Sequence, residues 1–266
     1  MLVNQGSSLE PTTADLQPAQ AVPLPRLWSE LGQRHLRPEL MDQPGLDPQA
    51  HQAALIGLGR INAFTRSAAC FFPAIRLLAS QAPAQRLRLL DVACGGGDTV
   101  RAISRQARRE GIDLEVHGCD LSPAAVAMAS AAARAEGLGA HFFEADAIGA
   151  PLPGGYHVIT TSLFLHHLKE PDAETLLRSM AAATLDQLLV HDLIRSRQDL
   201  LLTWIGTRLL SRSPIVHADG PLSVGGAFQL DEVADLATTA GLSGARISRF
   251  WPERFLLSWR RDAPSR

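Results

Sequence analysis

From Arg86 onward, short apolar runs alternate with longer stretches in which apolar residues recur every three or four positions. RLRLLDV, DLEVHGCD, AHFFEAD, YHVITTSLFL and DQLLVHDLI are the short runs; TVRAISRQARREG, SPAAVAMASAAARAEG and PDAETLLRSMAAAT lie among them. A two-residue period gives strands and a 3.6-residue period gives helices, so this alternation predicts βαβ units and a parallel sheet covered by helices on both faces. Ser122 is placed to cap the second of these helices, with Pro123 in its first turn. After Ile194 the alternation breaks. A helical start leads into SRSPIVHADGPLSVGGAF, which reads as a Gly/Pro/Ser-rich loop; LDEVADLATTAGL reads as a helix. SGARISRF and RFLLSWRR follow, separated only by Trp251, Pro252 and Glu253. So short a connection cannot make a parallel crossover, so the pair is a hairpin. The expected α/β fold is therefore a Rossmann-like seven-stranded sheet, mostly parallel, with an antiparallel last strand.

Upstream of residue 86 there is no strand signal. Residues 1–25 are rich in Pro, Gln, Ser and Thr and read as a disordered tail. Residues 26–85 carry a helical stripe through Leu55, Leu58, Ile61, Phe64 and Thr65, with Pro73 starting a further helix. They are expected to form an N-terminal helical cap over the main domain, residues 86–266, and Phe64, Phe71, Phe72 and Leu78 would line a pocket together with Leu163, Phe164 and the helix of Trp204.

Composition narrows the function. The chain has 266 residues, 46% of them hydrophobic, and a formal net charge of -2 from 25 Lys+Arg against 27 Asp+Glu. Charges of both signs are interspersed, without the basic stripe a nucleic-acid partner requires. No apolar run reaches the roughly 20 residues of a membrane span, and the first residues lack the pattern of a secretory signal. Cys70, Cys94 and Cys119 are far apart in sequence and form no CxxC, which fits a cytoplasmic protein and gives no structural metal site.

The chemistry concentrates at the ends of the predicted strands. Asp91-Val92-Ala93-Cys94-Gly95-Gly96-Gly97 closes the first strand on a glycine turn that passes backbone under a ligand and into a helix. The dinucleotide fingerprint is not met, because its third glycine falls on Val100 or Asp98, and Asp98 would repel a pyrophosphate. Asp120 ends the second strand, where a carboxylate accepts both hydroxyls of a ribose. Glu144 and Asp146 follow the third, where a carboxylate can take an exocyclic amine. Together these describe a ligand with an ammonium, a diol and an adenine.

The motifs LLDVACGGGD, VHGCDLSP, EADA and ITTSLFLHHLKEPDA agree in type, order and spacing with the class I S-adenosylmethionine (SAM)-dependent methyltransferases, which the stretch from about 86 to 260 resembles. It is most similar to the small-molecule enzymes of ubiquinone and menaquinone biosynthesis, and its C-terminal part resembles a branch acting on phenolic lipids and polyketides, within secondary metabolism. The resemblance implies SAM as cofactor. It implies that Asp91 and Gly95 to Gly97 hold the methionine end, with Ala93 and Cys94 as backbone contacts. Asp120 and Leu121 would hold the ribose, Asp146 and Ala147 the adenine, and Ser162 would face the sulfonium. Ala93 stands where the family has glycine; alanine is tolerated there if its φ is negative.

A methyl acceptor must lose a proton as the new bond forms, and a histidine is suited to take it from a phenol. His166 and His167 follow the fourth strand at the rim where substrates enter an open α/β sheet. His191 beside Asp192 and His217 beside Asp219 are further candidates. The expected acceptor is a small apolar phenol or quinol methylated on oxygen; methylation of an activated ring carbon, or a non-catalytic SAM-fold binder, are the alternatives. No (N/D)PP(Y/F/W) motif follows the fourth strand, which excludes the common nucleic-acid methylases. Oligomeric state is left open by the sequence.

Overall fold

The computed structural model describes residues 22–43 and 45–261. The predicted tail lies outside the described residues as far as position 21. The first helix, α1 (Leu24–Glu30), is followed by α2 (Pro48–Phe64) and α3 (Phe72–Gln81), the last with Pro73 in its opening turn as expected. Then come β1 (Leu87–Val92), α4 (Asp98–Glu110), β2 (Leu114–Asp120), α5 (Pro123–Ala135) and β3 (His141–Glu144). They are succeeded by β4 (Tyr156–Ser162), α6 (Glu170–Ala183) and β5 (Thr184–Leu193). The Ser122 hydroxyl accepts from the Ala125 N–H and caps α5 as predicted.

The seven strands form one sheet in the order β3-β2-β1-β4-β5-β7-β6, completed by β6 (Arg246–Phe250) and β7 (Arg254–Arg260). Strand β7 runs antiparallel between β5 and β6, and the other strands share one direction. Each central strand is buried on both faces, which explains its nearly unbroken apolar sequence. In β1, Leu87 and Leu89 pack with Phe71, Ile75 and Ile103 on one side, whereas Leu90 and Val92 pack with Leu176, Met180, Val233 and Phe255 on the other. Helices α3 and α4 thus cover one face, and α6 and α9 (Leu230–Thr239) the other. The parallel strands end at a common rim: Asp91 stands beside Thr160, Asp120 beside Glu144, and Ser162 beside His191.

Two elements differ from expectation. YHVITTSLFL does not remain a strand to its end. Leu163 takes a left-handed φ of 56°, which stops β4 at Ser162 and turns the chain into a short 3-10 helix, Leu165–His167. The segment read as a loop after α7 (Arg197–Leu210) is a helix, α8 (Pro214–Gly226), despite Pro221 in its interior. Tertiary contact overrides weak local propensity here. Val216 and Val224 are buried, and the absence of a side chain at Gly220 lets α8 approach α7, since a Cβ there would stand 2.6 Å from Thr207 Cγ2. Among the described residues, no helix is long and apolar enough to cross a membrane.

Candidate active site

A cavity of about 820 Å³ opens over the strand rim between the sheet and a roof made of α2, α7 and α8. Asp91, Ala93, Cys94, Gly95, Asp120, Leu121, Asp146, Ala147 and Ser162 all line it, as do His166 and His167. Gly97, His191 and His217 do not.

At one end of the cavity sits a set of carboxylates. Asp91 is 2% exposed and accepts a hydrogen bond of 2.7 Å from the Thr160 hydroxyl. Burial pushes its pKa up to about 7, with the charges of Asp98 and Asp120 adding to the effect and the Thr160 bond opposing it. Such a carboxylate calls for a cation, and an α-ammonium fits. Asp120 is held rigidly: one oxygen accepts from the Gly95 N–H at 2.8 Å and the other from the Ser122 N–H at 2.9 Å. Each oxygen keeps a lone pair for a ribose hydroxyl. Asp146 accepts from the Ile148 and Gly149 N–H groups, and these bonds hold its pKa below the usual carboxylate value. Gly95 has a φ of 51° and no atom within 4 Å of the position a Cβ would take, so the loop leaves an open cradle beside these acids. Gly97 serves packing instead, because a Cβ there would stand 2.8 Å from both Ala129 and Phe142. The three cysteines are buried free thiols, and burial pushes Cys94 up in pKa, so it is an unreactive wall of the loop.

The condition for alanine to be tolerated at position 93, a negative φ, is not met: the residue sits at 56°. The chain can leave β1 and enter the glycine turn only through a left-handed residue, which costs alanine about 1 kcal/mol. Ala93→Gly is expected to raise the Tm by about 2 °C, a gain trimmed by glycine's greater freedom in the unfolded chain; differential scanning calorimetry checks it.

The other end is the rim of histidines. Asp192 is 1% exposed, and its carboxylate accepts from His166 Nδ1 at 2.6 Å and from the His166 N–H at 3.0 Å. Burial alone would raise the Asp192 pKa; the His166 pair and the backbone donors more than offset this and hold it below the usual value. His166 is therefore fixed in orientation, with its second nitrogen left for the cavity side. His167 lies beside it, ring centroids 4.2 Å apart, with Nδ1 3.8 Å from Oε1 of Glu39. Glu39 was not singled out from the sequence; it arrives from the segment before α2 and is 7% exposed. Ser223 on α8 donates to it at 2.6 Å, and the Asp219 carboxylate accepts from the Leu40 and Met41 N–H groups, so this segment is tied down at several points.

The other two histidines are placed elsewhere. His191 is buried against Phe71 and Phe250, with Nδ1 3.1 Å from Ser162 Oγ and Nε2 without a hydrogen-bond partner. Burial, reinforced by Arg254, pushes its pKa down to about 4, so the ring is neutral near pH 7. His217 Nε2 donates to the Ser211 carbonyl at 2.8 Å and ties α8 to the end of α7.

The roof is apolar. Leu55, Leu58 and Ile61 of α2 face the cavity with Leu163, Phe164, Ile215 and Val216. Of the expected lining, Leu163 and Phe164 are at the cavity, whereas Phe71, Phe72 and Leu78 are core residues and Phe64 is 61% exposed beside Trp251. The helix of Trp204 contributes Thr203 and Thr207 in its place. Asn62 of α2 donates to Asp98 at 2.8 Å, which joins the roof to the start of α4.

A glycine turn after β1 with acids at the ends of β1 and β2 and just after β3, on a sheet whose β7 is reversed, is the arrangement of a methyltransferase domain, and residues 89–186 match the family model of that description. The chain is 30% identical to a ubiquinone biosynthesis O-methyltransferase of Ralstonia nicotianae over 63% of its own length and 68% of that protein's. It is 38% identical to a demethylmenaquinone methyltransferase of Thermus thermophilus, a match that spans 29% of the chain and only 33% of that relative. Magnesium protoporphyrin IX methyltransferase from Synechocystis, solved with bound S-adenosylhomocysteine, shares the fold with a TM-score of 0.53 at 16% identity, over 84% of this chain and 91% of that one. The chain belongs to the class I SAM-dependent methyltransferases of small-molecule type, and SAM is its cofactor.

Proposed function

We propose that this protein transfers the methyl group of SAM to a hydroxyl of a small apolar acceptor, phenolic or quinol-like. The observation that carries the reading is one cavity with two chemically distinct ends: acids suited to an adenosyl amino acid, and a roof of Leu55, Leu58, Ile61 and Phe164 above His166. When bound, SAM supplies an electrophilic methyl carbon. Asp91 holds its ammonium, Asp120 its ribose and Asp146 its adenine amine. The roof of α2, α7 and α8 excludes water and keeps the acceptor oxygen in line. His166 takes the acceptor proton at Nε2, and Asp192 fixes the tautomer that makes this possible and stabilises the imidazolium that results. The relative named for O-methylation in ubiquinone biosynthesis supports oxygen as the methylated atom.

The test is incubation of the full chain with isotopically labelled SAM and a panel of alkylated phenols, catechols and quinols, with the product read by NMR. A labelled methyl on oxygen is expected. A labelled ring carbon would transfer the reaction to carbon, and no labelled product from any member would remove the phenolic reading.

A further inference from the structure

We infer that Glu39, His166 and His167 form a binding site for one divalent transition-metal ion in the acceptor end of the cavity. The donor atoms these three side chains offer all lie within 4.8 Å of one another. All three residues line the cavity. They come from two separate parts of the chain, Glu39 from the segment ahead of α2 and the histidine pair from the turn after β4, so no sequence spacing announces them.

Three observations turn the proximity into a site. The first concerns charge. Glu39 is a buried carboxylate whose ion-pair partner among the described residues is His167, and at 3.8 Å that pair is too long for a hydrogen bond. The second concerns orientation. A metal-bound histidine nearly always gives its other ring nitrogen to a carboxylate, which sets the tautomer and raises the basicity of the ligating nitrogen. His166 meets that condition through Nδ1 and Asp192, leaving Nε2 as the ligand. The third is rigidity. Ser223 fixes Glu39, Asp219 pins the Leu40 and Met41 backbone, and Arg34 donates to the His166 and Leu168 carbonyls at 3.2 and 2.6 Å. Donor atoms on an ion with bonds near ~2.1 Å stand about 3.4 Å apart, so small rotations of side chains already in place would close the site.

Two imidazoles and a carboxylate suit zinc, manganese or iron(II) better than magnesium, which prefers oxygen. Three protein ligands leave positions open toward the cavity. An acceptor hydroxyl bound there would lose its proton to solvent water at a pH well below that of the free phenol, because the cation stabilises the oxyanion. In the metal-loaded protein His166 is then a ligand, and in the metal-free protein it is the base. The inference uses the acceptor reading for the role of the ion, but not for its binding.

The test therefore needs no acceptor. The full chain, stripped with a chelator and dialysed, is titrated by calorimetry with zinc chloride and, separately, manganese chloride. One ion per chain at micromolar affinity or tighter is expected, with Glu39→Gln and His167→Ala each weakening it at least tenfold. S-adenosylhomocysteine affinity within twofold of wild type shows that the variants are folded. No binding, or binding unaffected by both substitutions, would overturn the site and leave the acceptor reading intact. Conversely, an acceptor panel that fails with the ion demonstrably bound would remove the phenolic reading and leave the site standing.

Discussion

Asp91→Asn is expected to raise the Tm of the ligand-free chain while lowering its affinity for S-adenosylhomocysteine by about thirtyfold to a hundredfold. Both effects come from one buried carboxylate. Its pKa is pushed up to about 7 by burial, against an ordinary value of 3.8. Below the ordinary value both the native and the unfolded chain carry the proton, and the group costs nothing. Between about 4 and 7 the unfolded chain ionises while the native carboxyl keeps its proton, so stability falls as the pH rises through this window. The full cost above it is on the order of 4 kcal/mol. Asparagine keeps an acceptor for Thr160 and removes the charge, so the variant's Tm should lose this pH dependence. Binding has the opposite sign. The ligand ammonium favours the ionised form, so wild-type affinity should climb as the pH rises toward about 7 and level off above it. A charge-assisted hydrogen bond of about 2–3 kcal/mol disappears with the carboxylate. Thermal melts and calorimetric titration at pH 5, 6, 7 and 8 check both halves. A variant with unchanged affinity would show that Asp91 does not face the cofactor.

Asp192→Asn is expected to lower kcat by about a hundredfold or more while leaving cofactor affinity near wild type. The Asp192 carboxylate accepts from the His166 ring, the His166 N–H and the Leu193 N–H. An amide can satisfy only part of that set and turns one donor against another, so His166 loses its fixed tautomer whether it acts as base or as ligand. His166→Ala should cost a similar factor, and the double variant little more, because two residues acting as a unit do not add. Single-turnover kinetics on the three variants measures this. A kcat unchanged in Asp192→Asn would dissolve the pair as a functional unit.

The partner of His166 shows where sequence reading stops. His191 and Asp192 are neighbours in the chain and invite pairing, but neighbours in a strand point to opposite faces. Asp192 therefore turns to His166, and His191 turns into the core among Phe71 and Phe250. His217 and Asp219 likewise part company, one tying α8 to Ser211 and the other capturing the Leu40–Met41 backbone. The sheet was legible because a strand buried on both faces must be apolar throughout, and the three candidate acids because each sits at or just beyond a strand end whose position the apolar run defines. Asp91, Asp120 and Asp146 do meet in one cavity. The roof was not legible. Helix α8 is written in glycine, proline and serine and owes its form to packing against α7. Glu39 has no local signal, since its meaning comes only from the fold that brings it to the histidines.

The placement of β7 has a bearing on how the molecule is made. The last of the seven strands in chain order is an interior one, with β5 on one side and β6 on the other. Until residues 254–260 emerge, β5 has an open flank of unpaired amides and carbonyls, with the half-built sheet vulnerable to strangers that could pair there. Completion of the sheet is therefore a late insertion rather than an edge-wise addition, and a chain cut near residue 250 would be a sticky fragment.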